Sequence, residues 1–174
     1  MKKLSLACTL LALCCLLPSL ACAALPEYEY TQELTYGDFT LRIPSIFVPV
    51  EGEVEFADDE YVDNERNVHI SISYYPEHFA YKNTGDLIGY CLEFKNEWYS
   101  DCDSYEFAQA DECLATVVSQ YRFMTVSVYS RGHLLSIIIA NLNPEADTAE
   151  ARKDCMALAY ALLEHITAPE NPLE

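Results

Sequence analysis

The clearest structural signal in the chain is the segment Val68-His69-Ile70-Ser71-Ile72-Ser73-Tyr74. Apolar and polar residues alternate along it, so an extended strand has one apolar face and one polar face. Pro76 marks the end of the strand, because proline cannot donate a hydrogen bond to a sheet. Strands with one solvated face are typical of antiparallel sheets, whereas parallel strands are buried on both faces. The segment therefore predicts an antiparallel sheet.

Further strands are predicted before this segment. Phe39–Ile43 alternates in the same way and ends at Pro44. Residues 27–36 alternate acidic with aromatic or apolar side chains, as an exposed first strand does. Val54–Phe56 is a short candidate strand, and the densely charged residues 57–67 are expected to form a loop or hairpin.

The second half of the chain is also rich in strand signals. Tyr105–Ala108 predicts a strand, and the long run Leu114–Tyr129 is either one bent strand or two strands with a tight turn near Arg122. Leu134–Ala140 is so apolar that we expect both of its faces to be covered.

Two helices are predicted from apolar residues that recur at spacings of three and four. In residues 84–99 the recurring residues are Leu87, Cys91, Phe94 and Trp98. A final helix follows Asp147 and runs to about residue 166, and its recurring residues are Ala151, Cys155, Leu158, Ala159, Leu162 and Ile166. Each set forms an apolar stripe, so we expect both helices to pack on the sheet.

The order of elements is strands, helix, strands, helix, which indicates an α+β fold with an antiparallel sheet flanked by helices. The chain has 174 residues and contains no internal repeat or linker that would divide it. Residues 24–167 are therefore expected to form a single domain. Residues 168–174 contain two prolines and are expected to be a disordered C-terminal tail.

Residues 1–23 have the three parts of a secretory signal peptide. Lys2 and Lys3 precede an apolar run, and Ala21-Cys22-Ala23 supplies the small residues of a cleavage site. Two alternatives stay open: a retained membrane helix, since the run approaches spanning length, and a lipid anchor at Cys22. We expect a chain exported to the periplasm or the cell exterior, without a transmembrane segment after signal removal.

The composition is strongly acidic, with 28 Asp and Glu against 10 Lys and Arg and a net charge of −18. Removal of residues 1–23 takes away two lysines and no acid, so the net charge falls to −20. This charge excludes nucleic acids and anionic membranes as partners and favours a protein or a basic ligand. The hydrophobic content of 51% excludes a disordered chain.

Four cysteines lie beyond the signal peptide: Cys91, Cys102, Cys113 and Cys155. An even number in an exported chain favours two disulfides, and the wide spacings argue against structural zinc. If the two helices lie side by side, the natural pairs are Cys91–Cys155 and Cys102–Cys113. The alternative is that Cys91 and Cys155 are buried free thiols that act as small hydrophobic residues.

The segment Gly37-Asp38-Phe39-Thr40-Leu41-Arg42-Ile43-Pro44, with the element order that follows it, resembles the PsbP-like superfamily. This group includes photosystem oxygen-evolving subunits, a Ran-binding nuclear factor and many exported bacterial proteins of unknown role. The resemblance covers about residues 28–167 and implies an α/β/α sandwich around an antiparallel sheet. Phe47 stands where the family often has Trp. The superfamily has no shared catalytic motif, so the resemblance assigns no functional residues.

Motifs for catalysis or metal binding are missing from the sequence. The four histidines have no metal-ligand spacing, and there is no nucleophile elbow or glycine-rich phosphate loop. The acidic segment 58–65 contains weak candidates for calcium ligands, Asp58, Asp59 and Asp63, but it lacks the pattern of an EF-hand. Its other interpretation is a solvated loop. No other cofactor is expected.

Tyrosine is frequent, with 13 residues, and Tyr28, Tyr30 and Tyr75 are expected on exposed strands. Tyrosine is favoured at interfaces, although it is also common on half-buried strands. Together these features favour an exported, non-enzymatic binding or accessory domain with an acidic, Tyr-rich surface. The alternatives are a carboxylate-based hydrolase and a calcium-dependent structural module.

Overall fold

The structure is a computed structural model that describes residues 28–52, 56–78, 84–111, 113–145 and 148–168. The predicted signal peptide, the predicted tail from residue 169 onward and the cap residue Asp147 lie outside the described residues. The strands are β1 (Gln32–Tyr36), β2 (Phe39–Ile43), β3 (Val48–Val50), β4 (Asp59–Asp63), β5 (Val68–Tyr75), β6 (Ser104–Ala110), β7 (Cys113–Gln120), β8 (Phe123–Ser130), β9 (His133–Asn141) and β10 (Ile166–Thr167). The helices are α1 (Thr84–Trp98) and α2 (Thr148–Leu163).

The described strands form two sheets in which neighbouring strands are antiparallel. The large sheet has seven strands in the order β3-β4-β5-β9-β8-β7-β6. The small sheet has three strands in the order β1-β2-β10. Hairpins build most of the large sheet, because β6 to β9 follow one another along the chain and pair in that order. The α+β prediction and the antiparallel sheet are confirmed.

The two helices lie on opposite faces of the large sheet. Val128 packs in the cluster that contains Cys155 of α2, whereas the next residue, Tyr129, packs with Leu87 and Cys91 of α1. Successive residues of a strand point to opposite faces, so α1 and α2 are separated by the sheet. We call the α2 side the inner face and the α1 side the outer face. This arrangement is the predicted α/β/α sandwich.

The main core fills the inner face. Phe39, Leu41 and Ile43 of β2 are fully buried there, as the alternation of this strand predicts. The α2 stripe is also buried as predicted, including Cys155 and Leu162. The core continues to Ala168, which is buried one residue beyond the predicted domain boundary.

Some of the predicted elements differ from the structure. The run Leu114–Tyr129 is two strands, β7 and β8, with the turn at Tyr121 and Arg122. Residues 57–67, predicted as a loop or hairpin, form part of a hairpin, since β4 (Asp59–Asp63) pairs with β5 through the turn at residues 64–67. The candidate Val54–Phe56 is not seen as a strand, since Phe56 is in a turn and residues 53–55 are not described. Ile138 of β9 is 39% exposed, so the outer face of this strand is only partly covered.

Candidate functional site

The three calcium candidates point to different partners. The Asp58 carboxylate accepts a hydrogen bond from the Tyr74 backbone N–H at 2.6 Å, and the Asp59 carboxylate accepts one from the Tyr36 hydroxyl at 2.7 Å. Asp59 and Asp63 stand at the two ends of β4, which at the rise of a strand places them about 13 Å apart. The structure therefore does not bring the three carboxylates together.

Asp63 is a structural residue of the β4–β5 turn. Its side chain is buried, accepts hydrogen bonds from the Glu65 and Arg66 backbone N–H groups, and forms an ion pair with the Arg66 guanidinium at 3.0 Å. Within the described ranges, no three His, Cys, Asp or Glu side chains come close enough to hold a metal ion.

A polar groove of about 310 Å³ lies beside β3 and β4. Pro49 and Val50 form one wall, and Asp58, Asp59 and Glu60 line the other. Two of the three carboxylates, Asp58 and Asp59, already accept hydrogen bonds from other segments of the fold.

The cysteines do not form the predicted disulfides. Cys91, Cys102 and Cys155 are free thiols. The pair Cys91–Cys155 required helices that lie side by side, but the sheet separates these helices. Cys113 stands opposite Ala110 at one end of the β6–β7 hairpin. Cys102 precedes β6 at the other end, roughly 20 Å away along the strand. No disulfide can span that distance.

Both buried helix thiols are in environments that oppose ionisation. Burial raises the pKa of the Cys91 thiol to about 11 and that of Cys155 to about 12. The Cys91 thiol is also hydrogen-bonded to the hydroxyl of Tyr129, whose pKa burial raises as well. A protonated, buried thiol is a poor nucleophile, so these residues pack the core as the alternative interpretation expected.

Three of the histidines contact tyrosine rings. Nδ1 of His133 lies 2.8 Å from the Tyr74 hydroxyl, and Nε2 of His78 lies 3.0 Å from the Tyr90 hydroxyl. His165 stacks on Tyr30 with ring centroids 3.9 Å apart. These contacts join separate segments of the fold.

The tyrosines predicted at the surface divide into two groups. Tyr28 and Tyr30 are half-buried and pack against the main core, so they follow the ordinary pattern of strand tyrosines. Tyr75, at the end of β5, is exposed, and its ring lies 5.2 Å from that of His78. Of these three predicted tyrosines, the exposed one is therefore on the outer face.

The most extended aromatic surface follows α1. Tyr90, Phe94 and Trp98 are spaced four residues apart, so they stand above one another on one side of the helix. The ring centroids of Tyr90 and Phe94 are 6.0 Å apart, and those of Phe94 and Trp98 are 6.1 Å apart. We call these three residues the aromatic row.

Among the residues of α1 whose burial is described, two are fully buried and most of the others are exposed. Leu87 and Cys91 are fully buried against Tyr129 and Leu134 of the sheet. By contrast, Trp98 is 64% exposed. The sequence prediction that Trp98 lies on a buried stripe was wrong, because its side chain is largely open to solvent.

Acidic side chains flank the aromatic row. Asp86, Glu93 and Glu97 are exposed, and together with Tyr90 they have helical spacings of four, three and four. At 3.6 residues per turn these spacings place the three acids in a strip along α1 that passes close to Tyr90 and runs beside the aromatic row. We call them the acidic flank. Their proximity is visible at Tyr90, where burial and then the Cys91 and Glu97 charges raise the pKa of the hydroxyl.

The sequence contained a signal for this surface that the stripe prediction overrode. Tyr90, Phe94 and Trp98 have a spacing of four, and acids recur beside them. The same spacing describes a buried stripe, and only the position of the sheet distinguishes the two.

Comparison with solved structures identifies the architecture. Neither helix in the described ranges has the length and apolar character needed to span a membrane. No protein-family model matches the sequence, and no curated protein is similar to it. A structure search found the solution structure of cyanobacterial PsbP (CyanoP) from Synechocystis sp. PCC 6803. The TM-score is 0.51 at 15% sequence identity, and the match covers 79% of this chain and 92% of that chain. The chain has a PsbP-like fold.

The PsbP-like fold confirms the resemblance drawn from the segment 37–44 and the element order. At 15% identity the likeness concerns the fold, so the role of the outer face is argued from the residues of this chain.

Proposed function

We propose that this chain is an exported, non-enzymatic binding domain whose acidic, aromatic surface meets a protein partner. The observation that carries the proposal is the aromatic row along α1, in which three rings follow one another at 6.0 Å and 6.1 Å and Trp98 is 64% exposed. Contiguous apolar surface on a soluble domain marks interaction sites, and aromatic residues are the side chains most favoured there.

Export is supported by the signal-peptide pattern of residues 1–23. Cleavage leaves a chain with a net charge of −20, since two lysines are lost and no acid. A domain of this charge stays soluble and is drawn to basic surfaces. The hydrolase and the calcium module stay predictions that no observation on the described residues favours.

The test is capture of partners from the envelope fraction of the source cells with a chain lacking residues 1–23, which retains every described residue. Captured proteins are identified by mass spectrometry at low and at moderate salt. We expect capture of a defined protein that weakens with salt, because the acidic surface contributes to binding.

A double variant locates the binding surface. Phe94→Ala/Trp98→Ala removes most of the aromatic row, and we expect it to lose the captured protein. Met156→Ala/Tyr160→Ala on α2 is the matched control, since it removes exposed apolar side chains on the other side of the sheet. Equal capture by both double variants contradicts the proposed surface, and no specific capture by the unmodified chain contradicts the proposed function.

A further inference from the structure

The aromatic row and the acidic flank together define the chemistry of the partner. We propose that this side of α1 is a docking surface for a basic amphipathic protein segment, in which Lys or Arg residues alternate with apolar anchors. The inference rests on the proposed function as a binding domain and adds the class of partner and the place where it binds.

The aromatic row supplies apolar area and π faces. Trp98 is 64% exposed, so an apolar anchor of a partner gains by covering it. The faces of Trp and Tyr rings also attract Lys and Arg cations. One such contact is present beside α1, where the Lys95 ammonium lies 5.6 Å from the ring centroid of Tyr105 in β6.

The acidic flank selects the sign of the partner's charge. Along α1 three acids stand against one base, Lys95, and that base lies over the Tyr105 ring on the β6 side of the helix. The Glu97 carboxylate is close enough to Tyr90 to raise the pKa of its hydroxyl. A cation placed over the aromatic row is therefore within the field of the acidic flank, whereas an acidic segment is repelled.

The same charges exclude the other common occupants of an exposed apolar helix side. An anionic membrane surface and a nucleic acid are repelled by the acidic flank and by the net charge of −18. A second copy of this chain brings the same excess of acid. A basic segment with apolar anchors is the occupant that satisfies both halves of the surface.

Trp98 makes the test direct, because it is the only tryptophan of the chain and belongs to the aromatic row. The probe is a synthetic amphipathic helical peptide of Leu and Lys, added to the chain lacking residues 1–23. We expect a saturable blue shift of Trp98 emission that weakens about tenfold or more when salt rises from low to above physiological strength. Two control peptides replace either every Lys by Glu or every Leu by Ser, and neither is expected to shift the emission.

Charge reversal on the acidic flank tests the site. Glu93→Lys/Glu97→Lys is expected to weaken peptide binding about tenfold or more, as loss of close charge pairs does. Glu29→Lys/Glu164→Lys changes the net charge by the same amount at exposed positions outside α1 and is expected to bind like the unmodified chain. Matching circular dichroism and thermal midpoints confirm that both double variants are folded.

Several results overturn the inference. An equal shift with the Glu peptide or with the Ser peptide removes the requirement for charge or for apolar anchors. A shift that grows with protein concentration alone shows that the surface meets a second copy. Failure of the Leu–Lys peptide, with envelope capture still lost in Phe94→Ala/Trp98→Ala, overturns the class of partner but leaves the proposed function standing.

Discussion

Gly37 shows how one residue couples the two sheets. It lies in the turn between β1 and β2 with φ of 57°, in the left-handed region that side chains rarely adopt. A Cβ atom at this position would overlap the Tyr74 hydroxyl, which in turn lies 2.8 Å from Nδ1 of His133. The small sheet therefore packs closely on β5 and β9 through a position that only glycine fits.

Gly37→Ala is expected to lower the free energy of unfolding by about 2–4 kcal/mol, from backbone strain and overlap with Tyr74 together. The matched control is Gly89→Ala, in the interior of α1 with open space around it. That change is expected to stabilise the protein by about 0.5–1 kcal/mol. Urea denaturation measures both, and a neutral Gly37→Ala contradicts the close packing.

The buried cysteines allow a prediction about thiol chemistry. Because burial raises the pKa of Cys91 to about 11 and that of Cys155 to about 12, both thiols stay protonated at pH 8. We expect Cys102, which is partly exposed, to react with a thiol reagent in the native chain and the two helix cysteines to react only after unfolding. If a denatured, unreduced sample contained no free thiols, the cysteines would be disulfide-bonded, as the sequence predicted.

At the scale of elements, the two helices differ in how firmly they are held. The buried stripe of α2 extends from Ala151 to Leu163. The buried residues of α1 are Leu87 and Cys91, within one turn of each other. The first helix therefore buries fewer side chains than α2, which leaves Trp98 accessible to a partner.

Leu87→Ala is expected to cost about 2–4 kcal/mol, since it empties a fully buried position between α1 and the sheet. Leu92→Ala, in the same helix but 44% exposed, is expected to change stability by less than about 0.5 kcal/mol. The two urea midpoints test the anchoring directly. If both substitutions lowered the free energy of unfolding equally, the Leu92 side of α1 would be packed as firmly as the Leu87 side.

The sequence pattern predicts a strand or a helix well where the buried residues recur with the period of that strand or helix. β2, β5 and α2 were predicted close to their observed positions because their apolar residues repeat at two or at three and four. Residues 57–67 were predicted only as a loop or hairpin, because the charges of Asp59 and Asp63 obscure the pattern of β4. Their charges are accommodated by the Tyr36 hydroxyl and by Arg66, and the Tyr36 contact comes from a strand 23 residues away along the chain.

At the candidate site, too, the sequence pattern predicted the helix but not its contacts with distant parts of the chain. The period of α1 identified its apolar stripe, but it could not show which residues of the stripe are covered, and Trp98 is 64% exposed. The pairing Cys91–Cys155 was conditional on helices that lie side by side, because the pattern of a helix does not specify the face of the sheet on which it packs. That choice decides which cysteines are near each other.

At the scale of the whole molecule, charge and exposed apolar area combine on one side. The inner face is closed by α2 and the small sheet, whereas the outer face carries the partly anchored α1 and the half-covered β9. On that outer face the acidic flank borders the aromatic row. This side of the molecule is therefore the proposed binding side.

Chemical-shift mapping of backbone amides tests this claim most directly. The isotope-labelled chain lacking residues 1–23 is titrated with the Leu–Lys peptide at low salt. The account predicts that the largest shifts fall on α1, centred on the aromatic row and the acidic flank, with smaller shifts on the neighbouring outer-face residues of β5 and β9. Shifts concentrated on the groove beside β3 and β4, or spread evenly over the acidic surface, would contradict it.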